Sequence, residues 1–250
     1  MKVIDKTNID GLVLKNRFFM APVKTSMGLL GGKVTEDNLK FYEKIAKGGT
    51  AAIILEPMAV LPTGKEHPKQ LSIHDDSFVN DIKNIIDTIH KNGAVAGIHL
   101  NHAGRAANPK VIGQSPLAPS KMVCPTTGAE AQELTVSQIQ EIISAYGKAT
   151  KRAVQTGADF IEVQFGHGYL VAQFFSERTN KRTDEYGGSQ ENRLRFAREV
   201  LEQVIKNKGN LPFIIRISGK EFVNEGLEPK DLPALLELIE EYEASAIHVG

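Results

Sequence analysis

The chain has 250 residues, of which 41% are hydrophobic and 24% are charged, as in a soluble protein with a packed core. Its 30 Lys and Arg residues balance its 30 Asp and Glu residues, which argues against a nucleic-acid binder or a polybasic membrane anchor. The single cysteine, Cys124, excludes an internal disulfide, a cysteine-held iron–sulfur cluster and a Cys-rich zinc site. Since the N-terminus also lacks the apolar core of a signal peptide, we expect a cytoplasmic protein without a metal site.

A helix followed by a short β-rich run recurs along the chain. The run NRFFMAPV predicts an opening strand after a small N-terminal hairpin, and five amphipathic helices each precede a further strand. The predicted helices span 36–47, 77–92, 135–156, 189–208 and 229–243, and the strands after them are AAIILE, AVAGIHL, DFIEVQF, PFIIRIS and SAIHVG. This alternation predicts a mainly parallel sheet, either open and doubly wound or closed as a (β/α)8 barrel.

The lengths of the connections favour the barrel. Long segments follow the strands, at 57–76, 101–134 and 166–188, whereas the turns from helix to strand are short. Barrel enzymes carry their active sites at the carboxyl ends of the strands, where these long segments lie. Because six strands fill the chain, we expect residues 1–250 to form one TIM-barrel-type domain that holds about six of the eight strands and lacks the C-terminal βα units.

Alternation within the strands places polar side chains near the ends of five of them, facing the barrel interior. These side chains are Glu56, His99, Gln164, Arg216 and His248. Buried polar groups need partners, so their convergence predicts a ligand site. A simpler alternative is a buried ion pair between Arg216 and Glu56. Glu162 lies deeper in its strand than Gln164, which favours a structural role for it.

Four motifs in the chain resemble one enzyme family. NRFFMAPV, GIHLNHAGR, HGYL and SERTNKRTDEYGGSQENRLRF match, in order and at compatible spacing, the Old Yellow Enzyme family of FMN-dependent NAD(P)H:flavin oxidoreductases. The resemblance extends through nearly the whole chain. It implies a barrel with FMN across its top, NAD(P)H as the electron donor, and an activated alkene such as an enone or enoate as an acceptor.

By this resemblance, the FMN would contact residues at or just after the strand ends. The candidate cofactor residues are Ala21, Pro22, Val23, Lys24, Pro57, His99 and Arg216. Lys24 would lie near the reactive N5 edge, and His99 would take the place where a glutamine usually bonds the pyrimidine part of the flavin. Arg216 would lie at the N1 edge, where a fixed guanidinium favours the reduced anion.

The resemblance also implies candidate catalytic and substrate residues. Gln164 and His167 would form a donor pair that holds and polarises a substrate carbonyl, and Tyr169 would protonate the α-carbon of the alkene. His102 and Arg105, on the segment after the third strand, would line the mouth of the pocket.

Three residues depart from the usual family pattern. Gln164 replaces a histidine and does not titrate, and Lys24 replaces a threonine or cysteine and would raise the flavin potential. His99, in place of glutamine, would make that contact pH-dependent. The segments that bind the FMN phosphate after the seventh and eighth strands are also missing, so we expect this polypeptide alone to bind FMN weakly.

Two other functions are compatible with the sequence. The chain could be a truncated, flavin-poor fragment or a subunit whose barrel is completed by another segment, a complementing chain or a second copy, because an incomplete parallel sheet leaves edges open to association. A flavin-free barrel lyase or aldolase would require a Schiff-base lysine late in a strand, and the later strands offer none.

Overall fold

A half-barrel of parallel strands, covered by helices on its outer face, organises the chain in the computed structural model, which describes residues 2–250. Its elements are, in chain order, β1 (Thr7–Ile9), β2 (Leu12–Leu14), β3 (Phe19–Met20), α1 (Glu36–Lys47), β4 (Ala52–Ile54), β5 (Met58–Ala59), α2 (Val79–Lys91), β6 (Val95–Asn101), α3 (Pro109–Ile112), β7 (Leu117–Ala118), β8 (Met122–Val123), β9 (Glu130–Glu133), α4 (Val136–Gln155), β10 (Phe160–Gln164), α5 (Leu170–Phe175), α6 (Gln190–Asn207), β11 (Phe213–Ile217), α7 (Pro233–Glu241) and β12 (Ala246–Val249).

The order of the strands distinguishes the two architectures that the sequence allows. The main sheet runs β3–β4–β6–β10–β11–β12, and every neighbouring pair is parallel. In a doubly wound sheet the order would reverse at a switch point, whereas here it follows the chain without reversal. The sheet is therefore part of a TIM-type barrel with six of its eight strands, which confirms the predicted fold class.

The main helices begin at the predicted caps. Thr35 and Thr135 each form a capping box with the third helical residue, Asn38 in α1 and Gln138 in α4. Helix α2 begins two residues later than predicted, since Asp75 instead caps a short turn ahead of it. Helix α7 likewise begins at Pro233 after a separate turn, because proline is well suited to the first helical position.

The core lies between the sheet and the helices, as the alternation within the strands predicts. Ile98, Val163 and Ile215 face outward and belong to the same buried cluster as the inner faces of α2, α4 and α6. A second, smaller cluster fills the bottom of the half-barrel, where Leu14 of the N-terminal hairpin packs with Ile54 and other residues from the strands. A hydrogen bond of 2.8 Å from Ser245 Oγ to Asp10 Oδ2 ties this hairpin to the turn before β12.

The long segments at the carboxyl ends of the strands have structure that the sequence patterns do not predict. Strand β5 pairs with the end of β6, and β7, β9 and β8 form a small separate sheet. Helix α5 follows β10 and is buried along its whole length. None of the helices within 2–250 has the length and apolar character that crossing a bilayer would require.

Candidate functional site

A buried carboxylate held by two histidines lies inside the half-barrel. Glu162 of β10 has one oxygen 2.6 Å from His99 Nδ1 and the other 2.7 Å from His248 Nδ1. Burial raises the pKa of Glu162, but the hydrogen bonds from His248 and His99 outweigh this effect and lower the pKa to about 2. An ionised carboxylate only accepts hydrogen bonds, so both imidazoles carry a proton on Nδ1. Glu162 is thus held in place by two ring N–H groups of the protein.

Two nitrogens near this cluster are buried but lack a partner among the described residues: His99 Nε2 and Arg216 Nε. Burial lowers the pKa of His99, and the positive charge of Arg216 acts in the same direction, so the ring is neutral near pH 7. Its Nε2 therefore offers a lone pair, while Arg216 Nε offers an N–H group. Buried polar atoms left unpaired in this way are typical of a site that binds a polar ligand.

Gln164 and His167 are bonded to each other rather than standing side by side as independent donors. The N–H of Gly166 donates to Gln164 Oε1 over 3.0 Å, so the Gln164 amide nitrogen faces His167 Nδ1 at 3.1 Å. Burial and the charge of Arg216 lower the pKa of His167, so its Nδ1 accepts this bond and its proton lies on Nε2. His167 is exposed at the end of β10, in a left-handed conformation with φ of 55°, and its own N–H donates to Ser218 Oγ. Gln164 is thus buried beneath His167 and orients it.

An ionic cluster at the strand ends includes one residue that the sequence patterns do not indicate. The carboxylate of Glu66 lies 2.5 Å from Lys24 Nζ and accepts hydrogen bonds of 3.1 Å from Tyr169 to both of its oxygens. Burial and the charge of Glu66 raise the pKa of Tyr169. Burial alone would lower the pKa of Lys24, but the charge of Glu66 outweighs it and the pKa is raised. Glu66 lies in a long segment without periodicity, so only the folded chain brings it to Tyr169.

The prediction that His102 lines the pocket mouth conflicts with its environment. The ring is completely buried; its Nδ1 accepts from the N–H of Gly104 over 3.1 Å, and its Nε2 lies 3.2 Å from Thr63 Oγ1. Burial lowers the pKa of His102 to about 3. A side chain on Gly64 would have its Cβ only 2.7 Å from this ring. His102 therefore joins two loops and is not available to a substrate in this structure.

Arg105 does reach a cavity. It lines a space of about 430 Å³ together with His167, Lys220 and Phe222. Its backbone N–H donates to Gln173 Oε1 over 3.1 Å, and its side chain reaches Met122 Sδ at 3.5 Å. The cavity thus combines cationic and aromatic groups beside the exposed His167.

Glu56 does not join the other polar side chains inside the half-barrel. Strand β4 ends at Ile54, so the alternation does not continue to this residue. Its carboxylate instead accepts from Thr25 Oγ1 at 2.5 Å and from Asn38 Nδ2 at 3.3 Å, and burial raises its pKa to about 7. No ion pair between Arg216 and Glu56 forms within residues 2–250, which argues against that alternative.

The remaining candidate cofactor residues follow β3 and β4. Ala21 lines a cavity of about 280 Å³ that Glu162 and His248 also border, and Pro22 is buried next to it. Val23 is exposed. Pro57 is buried, and its carbonyl accepts from Gln70 over 3.1 Å.

One further polar residue lies at a strand end, and the sequence patterns do not indicate it. Asn101, at the end of β6, is buried, and neither atom of its amide has a partner in the described part of the chain. It lies two residues after His99 in the same strand, so continuing the alternation by one step would have indicated it.

Comparison with known proteins shows which family the chain resembles. A family model described as the NADH:flavin oxidoreductase / NADH oxidase family matches residues 7–249. The chain is 36% identical over 245 residues to an NADH oxidase of Thermoanaerobacter brockii, covering 97% of this chain and 38% of that protein. The chain thus spans well under half the length of this relative.

Solved structures agree with the sequence match. A 2-naphthoyl-CoA reductase complexed with 2-naphthoyl-CoA superposes with a TM-score of 0.91 at 27% identity, over 99% of this chain and 40% of that one. An old yellow enzyme homologue from Zymomonas mobilis gives a TM-score of 0.91 at 25% identity, over 100% of this chain and 73% of that one. These findings confirm the resemblance to Old Yellow Enzyme, and the chain belongs to the NADH:flavin oxidoreductase / NADH oxidase family.

Proposed function

We propose that this chain forms the N-terminal part of an FMN-dependent oxidoreductase that uses NAD(P)H to reduce an activated alkene such as an enone or enoate. The observation that carries the proposal is a pair of buried nitrogens without a partner among the described residues, His99 Nε2 and Arg216 Nε, on two residues that the resemblance assigns to the cofactor. Family membership implies FMN, and the residues present fit it, because an acceptor and a cationic donor match the polar edge of a flavin. When bound, FMN accepts a hydride from a reduced nicotinamide and passes it to an acceptor.

The cofactor would rest on the strand ends. Ala21, Pro22, Val23 and Lys24 would contact it from the segment after β3, and Pro57 from the segment after β4. The guanidinium of Arg216 would lie next to the flavin ring, where its fixed positive charge favours negative charge on the flavin. The rigid parallel strands beneath these residues supply the precision that such a site needs.

His167 is the group that would polarise a substrate carbonyl. It is exposed, neutral and protonated on Nε2, since Gln164 donates to its Nδ1. A neutral donor can bond a carbonyl oxygen while keeping its own proton. Gln164, which is buried beneath His167, would act by positioning it.

Tyr169 would supply the proton to the α-carbon. Its raised pKa keeps the hydroxyl protonated, and Lys24 Nζ, 5.4 Å from the ring centroid, would stabilise the phenolate that remains. Before transfer, the hydroxyl must exchange its bond with Glu66 for one with the substrate. Arg105 would contact the substrate from the cavity wall.

Cofactor binding and turnover test this proposal. FMN is added to the purified protein, the excess is removed by desalting, and the visible spectrum is recorded. NADH oxidation is then followed with a cyclic enone, and the saturated ketone is quantified against NADH consumed. Retained flavin and a one-to-one ratio would support the proposal; flavin-bound protein that oxidises NADH without reducing the enone would refute alkene reduction.

A second proposal is that activity needs a complementing segment or chain, including a second copy of this one. The outer face of β12 supports it, because Ile247 and Val249 are 43% and 63% exposed there. The residues paired with them on β11, Ile215 and Ile217, are buried. Sedimentation velocity with and without FMN would test it. A monodisperse monomer that retains stoichiometric flavin would exclude this requirement.

A further inference from the structure

Glu162 lies between two imidazoles, one from the neighbouring strand β6 and one from β12, two strands away on the other side. His99 is directly opposite Glu162 in the β6–β10 pairing, and His248 reaches it from β12, beyond the intervening strand β11. Glu162 and His99 are fully buried, and both carboxylate oxygens are used, one by each ring. Each carboxylate oxygen of Glu162 thus accepts a hydrogen bond from a different imidazole, which holds the carboxylate in one orientation.

We propose that Glu162, held by His248, is a positioning residue that fixes the proton of His99 on Nδ1, so that His99 Nε2 presents only a lone pair to N3–H, the single ring N–H of an oxidised flavin. The inference rests on the proposed function and assigns roles within it to Glu162 and His248. Neither residue touches the cofactor in this account; both act through His99.

The argument begins with proton counting. The hydrogen bond of 2.6 Å between His99 Nδ1 and the carboxylate oxygen is short, as hydrogen bonds to a charged acceptor are. Since the ionised carboxylate has no proton to give, the proton in this bond belongs to His99 Nδ1. A neutral imidazole has only one ring N–H, so Nε2 is then an acceptor.

The surroundings of His99 disfavour a second proton on the ring. The groups facing it are Glu162 from β10, the guanidinium of Arg216 from β11 and His248 from β12. Burial and the charge of Arg216 act against the imidazolium, whereas Glu162 favours it. The net effect lowers the pKa of His99, so Nε2 keeps its lone pair.

A positioning residue is needed because the residue at position 99 is a histidine and not a glutamine. An amide carries an acceptor and a donor on separate atoms and can offer either by flipping, whereas an imidazole offers one or the other according to its tautomer. Two N–H groups facing each other would repel. A histidine can therefore accept from N3–H reliably only if a neighbour fixes its tautomer.

Nitrogen NMR of the labelled protein without flavin tests the tautomer directly. Imidazole nitrogens with and without a proton have well-separated ¹⁵N shifts, so the spectrum reports which atom of His99 is protonated. We expect an Nδ1–H, Nε2-acceptor pattern in the wild type, and a mixture of both tautomers in Glu162→Gln, because an amide can either accept from Nδ1 or donate to it. Proton on Nε2 in the wild type would overturn the proposal whether or not flavin binds.

A second measurement uses FMN and its N3-methyl derivative, which lacks the N–H group. Binding is followed by quenching of flavin fluorescence. We expect the wild type to prefer FMN by about tenfold or more, the equivalent of one hydrogen bond. Glu162→Gln should lose most of this preference by weakening FMN binding about tenfold while changing binding of the methylated flavin little. An equal loss for both flavins would indicate that Glu162 only fills space, and would contradict the proposal.

Two further variants complete the design. Glu199→Gln is the matched control, because Glu199 is hydrogen-bonded to Tyr186 and Gln140 at the outer helices and should leave both readouts unchanged. His248→Asn removes the second imidazole without touching the bond between His99 and Glu162, and should broaden the tautomer distribution less than Glu162→Gln does. If Glu162→Gln does not fold, the wild-type spectrum and His248→Asn still decide the question. Failure of both flavins to bind the wild type, with the expected tautomer present, would count against the proposed function and not against this inference.

Discussion

The hydroxyl of Tyr169 is 3.1 Å from both carboxylate oxygens of Glu66, although 103 residues separate them in the chain. Lys24, from a third segment of the chain, forms an ion pair with Glu66. The hydroxyl of Tyr169 therefore donates to the carboxylate of Glu66, whose negative charge also balances the positive charge of Lys24. This relationship determines how the tyrosine should titrate and how it should act on a substrate.

Glu66→Gln should lower the pKa of Tyr169. The negative charge of Glu66 disfavours tyrosinate, so its removal lets the phenol ionise at lower pH, while Lys24 remains to stabilise the anion. Ultraviolet titration of tyrosinate absorbance would measure the shift. Because the chain has five tyrosines, the signal of Tyr169 is obtained by subtracting the titration of Glu66→Gln/Tyr169→Phe. A pKa that stays the same or rises would show that the carboxylate does not control this residue.

Tyr169→Phe should slow alkene reduction by about 100-fold or more, the range expected for loss of a general acid. Reduction of the flavin by NAD(P)H does not need this proton and should continue at nearly the original rate. Stopped-flow spectroscopy, with NADH and the enone mixed in separate steps, resolves the two half-reactions. Equal loss in both would assign Tyr169 to cofactor or nucleotide binding instead.

The burial of His102 should make the protein sensitive to acid. Its pKa is about 3 in the folded chain and near 6.5 when unfolded, so between these values the unfolded state binds more protons. The contribution of the neutral His102 ring to the free energy of unfolding is therefore fully present above about pH 6.5 and is lost as the pH falls toward 3. We expect roughly 3 kcal/mol of loss between pH 7 and pH 4 from this residue.

Urea unfolding of the wild type and His102→Gln at several pH values would measure this contribution. Glutamine does not titrate, so the free-energy difference between the two proteins should shrink by a similar amount on acidification. A difference that is independent of pH would mean that the ring becomes protonated without unfolding.

Gly97→Ala should destabilise the half-barrel by about 1–3 kcal/mol through overpacking. A Cβ at this position would overlap the ring of Phe160 on the neighbouring strand. Phe160→Leu creates space for the methyl group, so the double variant should be more stable than the two separate losses predict. Chemical denaturation of all four proteins would show this coupling; strict additivity would contradict the assigned contact.

Much of the fold could be predicted because its signals are local. Helix caps, apolar spacing and the alternation of Ile98 with His99 each depend on residues only a few positions apart, and a parallel sheet repeats the same unit. The strand-end residues His99, Gln164 and Arg216 could be placed for the same reason. The alternation failed at Glu56 because β4 ends two residues before it, and strand ends are poorly marked in sequence.

The unpredicted parts of the site depend on contacts between distant segments. Nothing near His102 indicates that Thr63 and Gly64 pack on it, so its burial is visible only in the folded chain. The same is true of Glu66 beside Tyr169. Gln164 and His167 are only three residues apart, yet His167 has the left-handed conformation, which is uncommon for any residue other than glycine and is not marked by a pattern in the sequence.

The hydrogen bond between Asp10 and Ser245 joins the N-terminal hairpin to the turn before the last strand, β12, across 235 residues. During synthesis, the N-terminal hairpin emerges from the ribosome long before Ser245 does. At about 5–20 residues per second, this wait lasts on the order of ten seconds or more. The apolar face of the hairpin, including Leu14, is without its strand partners for much of that time. Nascent chains of this protein are therefore expected to recruit cotranslational chaperones early.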